Sequence, residues 1–114
     1  MDESNSSLSN VEDVTGGGSR SFGKTEIFWE PASDQPGVKV TVKMLGQTIC
    51  EEILTPVIPA MKCNQQIGED SFSGTITAKF GPTGKSGTLY GDLQWEYDGV
   101  PGVFEGFIGS WGEE

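Results

Sequence analysis

The sequence predicts an all-β domain, and three observations carry that prediction. The 114 residues include 17 glycines and 6 prolines, and beyond residue 15 the longest segment free of both is Gln47 to Thr55, too short for an ordinary helix of about 11 residues. Apolar residues then recur with period two, the spacing of a half-buried strand. The segments between such runs are written in turn residues. We expect a small antiparallel meander barrel of about six strands, with a two-sheet sandwich as the second choice.

Residues 1–21 are polar, acidic and closed by three glycines, which reads as a disordered tail. Residues 22–114 form the single domain. Lys24 to Glu30 is β-branched and aromatic and stops at Pro31. After the turn residues Ala32 to Gly37, Val38, Val40, Val42 and Met44 alternate with Lys39, Thr41 and Lys43. Leu45-Gly46 turns the chain into Gln47 to Leu54, which sets Val42 against Ile49 and Val38 against Ile53. That register points Glu51 inward, opposite Val40, where it would anchor a ligand. A β-bulge near Cys50 would turn it outward instead.

Thr55 to Ser71 is the one long connection, with prolines at 56 and 59 and exposed-looking Val57, Ile58 and Met61. It reads either as a lid or as a stiff interaction loop. Beyond it, Phe72 to Ile76, Leu89 to Leu93 and Phe104 to Ile108 share the pattern apolar, any, Gly, any, apolar. A turn on Thr83-Gly84 sets Gly74 opposite Leu93 and Ile76 opposite Gly91. A turn on Gly99-Val100 sets Trp95 opposite Phe104, Leu93 opposite Gly106 and Gly91 opposite Ile108. Large then meets small across the strands, which suggests a tightly curled sheet.

The formal charge is −10, distributed as −3, −1 and −6 over residues 1–23, 24–85 and 86–114. Nucleic acid and anionic lipid would be repelled, and no run of about 18 apolar residues could span a membrane as a helix. The chain has no histidine, no nucleophile elbow and no Cys/His metal spacing, so we expect no enzyme, no metal and no cofactor. Cys50 and Cys63 are the two cysteines, and a bridge between them would contribute about 3 kcal/mol. Met1 precedes acidic and polar residues rather than a secretory signal. That fits a cytoplasmic protein if Met1 is native, and a secreted one if this is a mature chain with the cysteines oxidised.

The expected function is non-enzymatic binding of a glycan or other small ligand. Aromatic rings stack on the apolar faces of a sugar while carboxylates and amides bond its hydroxyls; Trp111, Tyr90, Phe107, Asp92, Gln94, Glu105 and Glu51 are the candidates. Trp111, close to the chain end, should be partly exposed. The alternative is a protein-interaction or inhibitor module using the 55–71 loop or the acidic C-terminal hairpin. The sequence does not fix the oligomeric state.

Overall fold

The computed structural model describes residues 16–33 and 35–112. Among them eight antiparallel strands follow in meander order: β1 (Gly18–Phe22), β2 (Thr25–Pro31), β3 (Val38–Met44), β4 (Gln47–Leu54), β5 (Ala60–Ile67), β6 (Asp70–Phe80), β7 (Gly87–Tyr97) and β8 (Val100–Trp111). Strands β1 to β4 make one sheet and β5 to β8 the other. The chain is all-β, and its arrangement is the sandwich that sequence reasoning placed second, not the closed barrel it placed first.

Side chains occupy the two seams where a barrel would continue its ladder. Along one, the Trp29 indole donates from Nε1 to the Ser110 carbonyl at 2.9 Å, with its ring so close to Gly109 that a Cβ there would lie 2.1 Å away. Nearby, Arg20 donates from Nη1 to the Phe107 carbonyl at 2.8 Å. Along the other, Cys50 of β4 is bonded to Cys63 of β5 with their Cα atoms 6.0 Å apart, beyond the usual separation of paired strand residues of about 4.5 to 5.5 Å. The core lies between the sheets, with Ile27, the three valines of β3, Phe72, Leu89 and Leu93 fully enclosed.

Several expectations need correction. Residues 18–21, read as tail, are paired with β2; residues 1–15 of that segment lie outside the described residues. Within the long 55–71 segment the eight residues Ala60–Ile67 form strand β5, whose Met61 and Cys63 face inward while Lys62 and Asn64 face out. Among the described residues eight strands therefore stand where about six were expected. The β3–β4 hairpin turns on Leu45-Gly46 as expected, both with positive φ, the backbone a two-residue hairpin of this type needs. A bulge then inserts Ile49, so that Val42 faces Cys50, Thr41 faces Glu51 and Val40 faces Glu52. Glu51 is thereby turned outward, accepting a bond from Thr41 Oγ1 at 2.9 Å and lying 3.6 Å from Lys39. It cannot anchor a ligand inside the sandwich.

The last hairpin turns on Asp98-Gly99, not Gly99-Val100, so Trp95 faces Gly102, Leu93 faces Phe104 and Gly91 faces Gly106. The pairings of Gly74 with Leu93 and Ile76 with Gly91 are as expected. A second bulge at Ile108 restores the large-to-small packing in another way. It carries Ile108 Cδ1 over Gly91, 2.6 Å from where a Cβ would sit.

One end of the sandwich is tied by a polar cluster. Lys24, in the β1–β2 turn, reaches Asp70 at 3.0 Å and Asp98 at 2.9 Å, and the Asp98 N–H donates to Asp70 Oδ1 at 3.0 Å. Beside them Tyr97 donates its hydroxyl to the Phe22 carbonyl at 2.9 Å and accepts from buried Thr25. The bonds to Asp98 and Asp70 raise the Lys24 pKa above its ordinary 10.5. The Asp98 N–H, followed by Lys24, lowers that of Asp70 below 3.8. Burial raises that of Tyr97 above 10.0.

A lowered carboxyl stabilises the fold above its unfolded pKa and loses that contribution as pH falls through its folded value. A raised lysine or tyrosine stabilises below its unfolded pKa and loses that contribution as pH rises. Urea midpoints should therefore fall below about pH 4 and above about pH 10. Asp70→Asn should lower the neutral-pH midpoint and flatten the acid limb; an unchanged acid limb would remove Asp70 from this role.

Candidate ligand-binding face

The site is built on the outer face of the β5–β8 sheet. Because side chains alternate along a strand, burying Phe72, Ile76 and Ala78 of β6 forces Ser71, Ser73, Thr75, Thr77 and Lys79 outward. Burying Leu89, Gly91 and Leu93 of β7 likewise turns Tyr90, Asp92, Gln94 and Glu96 out. The register then lines these residues up in rows across the four strands. One row reads Ala60, Thr77, Tyr90, Phe107; the next Lys62, Thr75, Asp92, Glu105; the third Asn64, Ser73, Gln94, Val103.

Two depressions lie on this face. The larger, of about 550 Å³, is lined by Thr75, Thr77, Lys79, Tyr90, Gly91, Asp92, Glu105 and Gly106. The smaller, of about 230 Å³, is lined by Ser71, Ser73, Gln94, Trp95, Glu96, Pro101, Gly102 and Val103. The facing glycines 91 and 106 put bare backbone in the wall of the first.

Phe107 is 50% exposed and meets Tyr90 edge-on with ring centroids 6.0 Å apart. The Lys79 ammonium covers one face of Tyr90 at 4.8 Å, so Phe107 offers the more open aromatic surface. Asp92 and Glu105 stand directly opposite each other, an unfavourable placement for two like charges. Neither makes an ion pair among the described residues.

Of the residues singled out in the sequence, Tyr90, Asp92, Gln94, Glu105 and Phe107 share this face. Trp111 does not: it is 2% exposed, packed edge-on against Phe80 with centroids 5.3 Å apart. The last strand folds it inward through the Ile108 bulge, which correctly sets the inner face of β8 to end on Trp111. Glu51 lies on the other sheet. Met61 is core. Val57 and Ile58 are 87% and 66% exposed at a tight turn in which Thr55 and Ile58 exchange backbone and side-chain bonds at 3.0 Å.

Sequence reasoning missed Ser71, Ser73, Thr75, Thr77 and Lys79. Their signal was the same period-two alternation that identified β6 and β7, read on its polar half. Among the described residues no group of three or more Cys, Asp or Glu could hold a metal ion. No family model matches the chain, and neither a curated protein nor a solved structure matches it.

Proposed function

We propose that this is a non-enzymatic binding protein that takes a glycan or another small polar ligand on the outer face of the β5–β8 sheet. The observation that carries this reading is the larger depression, where an aromatic ring, two carboxylates, two threonine hydroxyls and a lysine converge. Carboxylates accept from sugar hydroxyls, threonines donate and accept, and Phe107, outside that lining but edge-on to Tyr90, supplies a surface for C–H stacking. Sites of this kind need a few convergent polar groups beside apolar surface. The Cys50–Cys63 bridge favours an oxidising compartment.

A glycan array followed by calorimetry on the hits tests the reading. Asp92→Asn with Glu105→Gln should weaken binding by about tenfold or more, since hydrogen bonds to charged groups contribute about 1.5 to 3 kcal/mol, while the melting temperature should not fall. Affinity unchanged in the double variant would reject the site.

The second reading, a protein-interaction module, draws on the exposure of Val57 and Ile58 at the turn between the sheets. Val57→Asp with Ile58→Asp should leave glycan binding intact if the first reading holds, and abolish partner capture if the second does.

A further inference from the structure

We infer that the two depressions are parts of one elongated site for a linear, uncharged polysaccharide chain lying along the strands. This rests on the glycan reading above and extends it to the length and charge of the ligand.

The depressions are neighbours on the same three strands. Thr75 and Asp92 border the first, and the next outward pair, Ser73 and Gln94, borders the second. From Tyr90 to Glu96 the face runs about 20 Å at the ~3.4 Å rise of an antiparallel strand, long enough for several linked pyranose rings. The polar groups along that path are repeated rather than clustered. Hydroxyls of Ser71, Ser73, Thr75 and Thr77 occupy every outward position of β6 from 71 to 77, and Gln94 adds an amide beside them.

Charge narrows the occupant. The face carries Asp92, Glu96 and Glu105 against Lys62 and Lys79, in a chain of formal charge −10, so an anionic polymer would meet net repulsion. An extended peptide would be recognised chiefly by main-chain pairing at a sheet edge. These depressions lie on the outward face of the sheet, across the side chains of β6, β7 and β8, rather than along the open side of an edge strand. A neutral chain, supplying hydroxyls to carboxylates, amides and serines at successive steps, satisfies the lining without adding charge.

The test is calorimetry with neutral cello-, manno- and chito-oligosaccharides of increasing length, on the wild-type chain and on Val103→Arg. Val103 is 76% exposed and lines only the smaller depression, so the variant should fold while obstructing that half. Affinity should rise by about tenfold or more between the single sugar and the longest chain, a difference of about 1.4 kcal/mol. Val103→Arg should abolish the rise and leave single-sugar binding in place.

A single sugar bound as tightly as the long chains, or a length dependence that survives Val103→Arg, would overturn the elongated site and leave the glycan reading standing. Preference for a uronate polymer or an extended peptide would overturn it as well. Failure of every carbohydrate to bind would remove both.

Discussion

Replacing Trp111 by alanine is expected to cost about 4 kcal/mol of stability, in the range for large buried aromatics. The indole is enclosed at the end of β8 against Phe80, and its ring fills the space over Gly87, where a Cβ would lie 2.6 Å from it. Truncation would open a cavity that neighbouring strands, fixed by their ladders, could fill only in part. For a domain of this size the melting temperature should fall by on the order of 20 °C. Urea denaturation followed by circular dichroism measures the loss; Trp111→Phe, which keeps a ring in place, should recover much of it. Ligand affinity, measured where the variant remains folded, should be unchanged. A small stability change together with lost binding would return Trp111 to the site.

The second large effect is expected from the disulfide. Breaking Cys50–Cys63 releases a loop with a sequence separation of 13, and loop-closure entropy sets the loss at about 3 kcal/mol. The bridge also joins the facing edges of the two sheets, so reduction removes a covalent tie across one seam. Comparing urea midpoints with and without reductant is the direct measurement. Replacing both cysteines by alanine is the better variant, because a serine at buried Cys63 would add a hydroxyl in need of a partner. Equal midpoints in the two redox states would show that the core alone sets the stability.

Strands with strict alternation were legible in the sequence. Val38 to Met44 needed nothing beyond period two, and the Gly74 to Leu93 pairing followed from the turn between β6 and β7. Strand β5 was hidden because only Met61 and Cys63 mark its inner face before polar Gln65 interrupts the pattern, and because prolines at 56 and 59 made the whole segment read as loop. The bulges at Ile49 and Ile108 are register changes that alternation cannot reveal: each inserts one residue and reverses which side the following residues face. Glu51 changed sides for that reason. The Asp98-Gly99 turn was legible, since Asp-Gly is a preferred pair for a two-residue hairpin, and centring one residue too late displaced the whole β7–β8 pairing.

The same alternation made five of the candidate residues legible as one group, because inward Leu89 and Leu93 already imply outward Tyr90, Asp92 and Gln94. The depressions were not legible, since they arise from how three strands coil together. Trp111 was misplaced by treating nearness to the chain end as exposure.

The division into sequence-contiguous sheets also bears on how the molecule assembles. Each four-stranded half can form from hairpins between successive segments, whereas Arg20 meets Phe107 and Trp29 meets Ser110 across 87 and 81 positions. Closing contacts that distant carries the larger entropy penalty. The halves can therefore take shape before the β1–β8 seam closes, and the seam's closure carries that larger penalty.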